Sequence, residues 1–198
     1  IPVGHLETNC YIVTDENTLG CAVIDPGDES NTIMDYLEDN HLSCKAILLT
    51  HGHYDHTGAV AAVAEETGAP VWMNRRDTRK PTENDPYRYA PPEGCNFYDD
   101  GDCVDVDALH FQVIATPGHT PGGVSLVCGE ALFTGDTLFR HECGRCDLEG
   151  GDFSAMLRSL KRLSELEGDY KVLPGHEGIS TLDEERAANP YMLQARGR

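Results

Sequence analysis

The segment Thr50-His51-Gly52-His53-Tyr54-Asp55-His56-Thr57-Gly58 places three imidazoles and a carboxylate within six residues. It follows the apolar run Ala46-Ile47-Leu48-Leu49, which reads as a strand, and precedes the alanine-rich run from Ala59 to Thr67, which reads as a helix. A sharp turn after a strand aims His51 and His53, two residues apart, at one point. Asp55 and His56 open the following helix and aim at a neighbouring point. Such a layout suits two adjacent cations better than one, because neutral imidazoles and carboxylates at this density are the ligands that zinc and similar metals take. The competing reading is a surface loop that is merely rich in histidine.

The rest of the chain supplies further turns of the same kind. Cys10 to Val13 and Cys21 to Ile24 read as a hairpin, stopped by Asp25-Pro26-Gly27. Glu29 to Asn40 carries Ile33, Met34 and Leu37 on one face and reads as a helix leading into the strand before the histidine cluster, an α/β rhythm. Val71-Trp72-Met73 is a short strand. Leu109 to Ala115 ends at Thr116-Pro117-Gly118-His119-Thr120-Pro121-Gly122-Gly123, a stiff turn in which backbone can approach a ligand closely. Val124 to Val127 and Ala131 to Phe133 form a hairpin whose second strand delivers Gly135-Asp136. Phe153, Met156, Leu157, Leu160 and Leu163 recur at helical spacing from near Asp152 to near Gly168, and Tyr170 to Leu173 is a strand ending at Pro174-Gly175-His176. Three strands thus run out into glycine-marked turns that present His119, Asp136 and His176. There is no alignable internal repeat, although the hairpins suggest two β-rich halves.

Residues 74–106 fit neither rhythm. They hold four prolines, the basic cluster Arg75, Arg76, Arg79 and Lys80, and the aromatics Tyr87, Tyr89, Phe97 and Tyr98. A stretch of this length reads as a solvated connection, or as a lid whose aromatics cover a substrate and whose arginines meet its carboxylate. The remaining histidines, His5, His41, His110 and His141, lack partners at ligand spacing. Cys143-Gly144-Arg145-Cys146 has the C-x-x-C pattern, but one such pair does not close a four-ligand zinc site, and the segment reads as a loop.

Size and charge restrict the partners. At 198 residues the chain suits one domain with a full core. Fifteen basic against 34 acidic residues give a formal charge of −19, which disfavours nucleic acid and points to a small polar partner. Eight scattered cysteines show no disulfide framework, so a reduced cytoplasm is the expected setting. No stretch approaches the roughly 20 apolar residues of a membrane span, and no secretory leader is evident, although the chain begins at Ile1. Oligomeric state is not legible.

With Asp25 in an apolar-Asp-Pro-Gly turn, the His51-x-His53-x-Asp55-His56 cluster, and His119, Asp136 and His176 following in that order, the chain resembles the metallo-β-lactamase superfamily over nearly its whole length. Within it the chain is most similar to the glyoxalase II branch of thioester hydrolases, in the short form without the helical C-terminal domain. The resemblance implies a four-layer αβ/βα sandwich with the metal site at one edge of the two sheets. It makes His51, His53 and His119 ligands of one metal, Asp55, His56 and His176 ligands of the other, and Asp136 the bridge. Asp55 and Asp136 would be the catalytic carboxylates, and Asp25 would orient a ligand from behind. Two divalent ions are implied, zinc first, with iron or manganese also compatible. The implied reaction is hydrolysis of a hydroxyacyl thioester.

Two departures separate the chain from full-length glyoxalase II. Cys143-Gly144-Arg145 matches the family's Cys-Gly-basic segment, but Cys146-Asp147 leaves an acid where the glutathione-holding tyrosine is expected. The chain also stops at Arg198, where those enzymes continue. Arg145 is the candidate substrate-binding residue, with a guanidinium suited to a two-pronged grip on a carboxylate; the alternative is that it pairs with Asp147 or Asp152. The runner-up function is a mononuclear iron persulfide dioxygenase, against which Pro-Gly-His176 speaks. A non-catalytic metal domain is weaker, since structural sites are closed by four ligands. Asp55 disfavours a lactamase proper, and the acidic surface disfavours the RNA-processing relatives.

Overall fold

The computed structural model describes residues 1–78, 90–91 and 93–197. In the strand Gly20–Ile24 every residue is buried, as expected of a strand covered on both faces. The two-residue period of a strand sorts its side chains. Cys21 and Val23 pack with Ile33, Leu37, Val60 and Val63, beneath the helices Ser30–Asp39 and Val60–Thr67. Ala22 and Ile24 point the other way and pack with Phe111, Val113, Leu126 and Phe133 of a second sheet. That sheet's far face, through Ile114, Leu132 and Val172, meets Met156, Leu160 and Leu163 of the helix Phe153–Ser164 and Leu182 and Met192 of two further helices. Three apolar seams therefore separate four layers in the order helix, sheet, sheet, helix, the expected αβ/βα sandwich.

The first sheet runs Tyr11–Thr14, Gly20–Ile24, Ser43–Leu48, Val71–Met73, Asn96–Phe97. Its first pair is an antiparallel hairpin and the other neighbours are parallel. The second runs Ser180–Thr181, Lys171–Pro174, Ala131–Gly135, Val124–Cys128, Leu109–Ala115, Cys103–Val106. Within it only Ala131–Gly135 and Lys171–Pro174 are parallel. The C-terminal ends of the delivering strands meet at one edge, where Val124 N donates to Thr50 O at 2.9 Å from one sheet to the other and Gly175 N donates to Gly135 O at 2.9 Å between neighbouring strands of the second sheet. Open sheets present ligand crevices beyond the carboxyl ends of their strands. Gly135 shows how tightly this edge is closed, since its φ is +46° and a Cβ there would strike Thr50.

Several elements differ from the sequence reading. The connection read as 74–106 is shorter. A 3-10 turn at Arg75–Asp77 is followed, beyond residues outside the description, by the edge strand Asn96–Phe97 and by Cys103–Val106, which alternates exposed and buried residues and pairs with Leu109–Ala115. Of the lid candidates, Tyr98 is fully buried between the sheets and its hydroxyl donates to Leu49 O, so it covers no substrate. Arg75 stacks 3.8 Å over Phe97. Arg79, Lys80, Tyr87 and Tyr89 lie outside the described residues. After His176 the chain adds Leu182–Ala188 and Pro190–Ala195, capped by Thr181 and Asn189, which the sequence reading left unassigned. Among the described residues no helix is long and apolar enough to cross a membrane.

Candidate metal centre

The strand Ser43–Leu48 runs out into His51, His53, Asp55 and His56, and three strands of the second sheet lead to His119, Asp136 and His176, all in one hollow. His51, His53 and His119 come together as one group and Asp55, His56 and His176 as another, the candidate ligand atoms within each lying within 4.8 Å of one another. His53 Nδ1 is 2.8 Å from His119 Nε2, and His56 Nε2 is 3.3 Å from His176 Nε2. Asp136 stands between the groups: Oδ1 is 3.3 Å from His56 Nε2, while Oδ2 is 3.3 Å from His119 Nε2 and 3.7 Å from His176 Nε2. Asp55 Oδ2 is 3.2 Å from His176 Nε2. Every residue that the sequence nominated as a ligand is in this cluster, and His5, His110 and His141 are elsewhere, on Tyr54, Asp105 and Glu184.

The tautomers are fixed from behind. Asp25, 2% exposed, accepts from Thr50 N at 2.7 Å, Thr50 Oγ1 at 2.6 Å and His56 Nδ1 at 3.0 Å. Thr50 Oγ1 also lies 3.1 Å from His51 Nδ1, so its hydroxyl relays Asp25 to a second ring. With its acceptors engaged in this way, Asp25 supports His51 and His56 and is not a ligand beside them, although it lies close enough to form a third group with them. His119 Nδ1 donates to Arg145 O at 2.7 Å and His176 Nδ1 to Leu6 O at 3.1 Å. Four rings are thereby turned with Nε2 inward.

Two buried atoms in the hollow, His51 Nε2 and Asp136 Oδ1, have no hydrogen-bond partner. Orphaned buried polar atoms are costly and call for an occupant. Neutral imidazole nitrogens and carboxylate oxygens converging around them are the donor set of a divalent transition metal, so the residues fit such ions.

The protonation states divide along the same line. Burial, reinforced by the nearby His56 charge, pushes the His51 imidazole well below its usual range. Burial and the neighbouring His119 ring bring His53 down to about 4. For His56, burial acts in the same direction, but the Asp136 and Asp25 carboxylates overcome it and hold the ring well above its ordinary value. His176 is raised against its burial by its hydrogen bond to Asp55. Burial works to raise the Asp136 carboxyl, and the His56 charge outweighs it and holds that carboxyl well below the carboxylate range.

Asp77 was missed by sequence reasoning. It is buried, its Oδ2 accepts from Gly52 N at 3.1 Å and its Oδ1 from Gly122 N at 2.6 Å, and it so fastens the loop of His51 and His53 to the loop of His119. Its only signal was an acidic residue inside a basic cluster, which does not point to two amides 25 and 45 residues away.

Arg145 lines the cavity above the cluster, but its guanidinium is held by Asp147 in two bonds of 2.7 and 2.8 Å, the alternative left open above. Its carbonyl, by contrast, reaches His119. The cavity measures about 790 Å³ and its walls include Leu6, Tyr54, Phe139 and Leu148.

A family model described as the Metallo-beta-lactamase superfamily matches residues 3–176. The chain is 31% identical over 204 residues to the hydroxyacylglutathione hydrolase GloC of Haemophilus influenzae, with 97% of this chain and 96% of that protein covered. Among solved structures, the BLEG-1 B3 metallo-beta-lactamase superposes with a TM-score of 0.89 at 31% identity over 97% of each chain. TTHA1623 in a di-iron-bound form superposes with a TM-score of 0.84 at 36% identity, over 96% of this chain and 98% of that one.

Proposed function

The chain belongs to the metallo-beta-lactamase superfamily and is a metal-dependent hydrolase of it; from that premise we propose that it holds two metal ions and cleaves small thioesters. His51, His53 and His119 would hold one ion, Asp55, His56 and His176 the other, and Asp136 would be the residue common to both. The observation that carries this reading is the position of Asp136, 3.3 Å from a ring of each group.

A pair of divalent ions in such a site supplies Lewis acidity and lowers the pKa of water to about 7. The chain's own residues do the rest. Asp25 and Thr50 keep lone pairs of His56 and His51 facing inward. Asp55 and Asp136, held as carboxylates by the rings around them, accept hydrogen bonds from the nucleophilic water and orient it towards the carbonyl carbon. The apolar walls pack against the substrate and limit competing water. A thioester suits these residues because thiolate departs without prior protonation. The resemblance to a hydroxyacylglutathione hydrolase supports the thioester. Zinc is the first choice of metal, and the di-iron form of a relative keeps iron in view.

The test is elemental analysis of protein purified without chelator, with rates on a hydroxyacyl thioester, a β-lactam and a glutathione persulfide. About two metals per chain and thioester turnover above the other two substrates support the reading. One tightly held iron with oxygen consumption on the persulfide, or preferential β-lactam cleavage as the name of BLEG-1 invites, overturns it.

A further inference from the structure

The cavity above the metal centre is charged in a way that bears on the substrate. Its lining carries Glu142, Glu149 and Glu177, and Arg145 is the one lysine or arginine among the described residues that form it. That guanidinium is already satisfied by Asp147, whose carboxyl it holds down to about 2. Asp147 is tethered two residues away, so an incoming carboxylate would have to displace a partner present at high local concentration. The mouth is therefore anionic on a chain of net charge −19. Between the carboxylates, Leu6, Tyr54 and Leu148 expose apolar surface, at 45%, 37% and 40% of their area, next to the half-buried Phe139.

We infer that the outer cavity selects thioesters whose thiol portion is neutral or cationic, and discriminates against thiol carriers that bear carboxylates. The inference rests on the thioester reading and specifies it further. In the reaction, hydroxide adds to the acyl carbon, the carbon–sulfur bond breaks with its electron pair leaving on sulfur, and a carboxylic acid and a thiolate result. Only the group beyond the sulfur reaches the acidic mouth, so its charge affects binding and capture while the bond being broken stays the same. Apolar walls with acidic points fit an aliphatic or quaternary ammonium group in the same way that they repel a carboxylate.

The experiment uses the metal-loaded protein and three thioesters of one acyl group, made from thiocholine, N-acetylcysteamine and 3-mercaptopropionate. Each kcat/KM is divided by the rate of hydroxide-catalysed hydrolysis of the same compound, which removes the difference in leaving group. Normalised rates should fall from cationic to neutral to anionic, by on the order of tenfold across the series at low salt, and the spread should narrow as ionic strength rises. Replacing two of the three exposed glutamates, Glu142→Gln with Glu177→Gln, should reduce the cation-to-anion ratio severalfold, a readout that a general loss of folding would not move. Equal normalised rates, a preference for the anion, or a ratio indifferent to salt and to the double substitution would overturn the charge selection alone. No turnover of any of the three by protein carrying its full metal complement would overturn the thioester reading and this inference with it.

Discussion

Replacing Asp25 by Asn keeps its size and removes one charge, yet it should unsettle the metal centre, because both of its oxygens accept hydrogen bonds. In the native site Oδ1 receives Thr50 N, and Oδ2 receives both Thr50 Oγ1 and His56 Nδ1. An amide placed with its carbonyl towards Thr50 N sets an NH2 against His56 Nδ1. The ring then has to present a lone pair there and carry its proton on Nε2, the nitrogen that faces His176 and Asp136. The opposite amide orientation sets two donors, the NH2 and Thr50 N, against each other. Either way one buried group is left unsatisfied, at a cost of about 1–3 kcal/mol.

A supporting carboxylate of this kind is worth roughly 10–100-fold in metal affinity, or about 1.4–2.7 kcal/mol. We expect Asp25→Asn to lose metal first from the Asp55, His56 and His176 group, and to melt roughly 2–10 °C lower without metal. Metal content after dialysis against a graded chelator series, and melting of the chelated protein, measure the two effects separately. A variant that kept two metals with affinity within about threefold of the parent would refute the tautomer reasoning, since the magnitude rests on that ring nitrogen being the ligand.

Asp136→Ala should empty both positions and remove nearly all turnover, whereas His176→Ala should chiefly empty one; two metals retained per chain in the Asp136 variant would contradict a shared ligand. Gly175→Ala should also release metal, because a Cβ there meets Asp136 Oδ1 and comes within 2.6 Å of His56 Cε1; an unchanged metal content measured on folded protein would count against the crowding. Asp77→Ala frees the amides of Gly52 and Gly122 in a buried place, and should cost about 2–5 kcal/mol in chemical denaturation while loosening the His51, His53 and His119 group. Asp100, beside Arg162 at 2.7 Å, has its carboxyl held below the usual range by that pair. A depressed carboxyl stabilises above its unfolded value near 4 and loses that contribution as pH falls through its folded value. Asp100→Asn should therefore melt about 1–3 °C lower at pH 7, with the gap closing towards pH 3.

What the sequence discloses and what it conceals follow from the range of the contacts involved. Asp25, His51, His53, His119, Asp136 and His176 each sit just past a strand in a turn marked by glycine or proline, and the combination of strand period and turn chemistry is local. The layers were legible only through the resemblance, because no periodicity says which sheet Ala22 and Ile24 will face. Cys103–Val106 alternates like any edge strand, yet it was absorbed into a proline-rich stretch whose polarity dominates the window. The short helices after His176 carried their signals, Thr181 with the acids Asp183 to Glu185 and then Asn189-Pro190, but seven and six residues are too few to show a helical period. Asp77 and the carbonyl of Arg145 lay beyond reach for another reason: one acts on distant backbone amides and the other is itself backbone, and neither role leaves a side-chain pattern in the sequence.

The buried carboxylates of the site fall into two kinds, and the difference explains how so acidic a chain can run a reaction that needs an electrophilic centre. Asp25 and Asp77 place their oxygens on amides, a hydroxyl and a ring N–H of the framework. Asp55 and Asp136 direct theirs at the imidazole nitrogens of the candidate ligand rings. With two divalent ions bound, their four positive charges would be matched by Asp25, Asp55, Asp77 and Asp136, so the ions themselves, and not a net charge, would make the electrophilic centre at the floor of the cavity, while its mouth, with Glu142, Glu149 and Glu177, is negative. A carbonyl oxygen is drawn towards that floor, and its electron density is polarised in the sense that attack requires. If the substrate is a thioester, the newly formed carboxylate would be held by the ions at the floor, and the same glutamates proposed to select the thiol portion would oppose rebinding of the acid product.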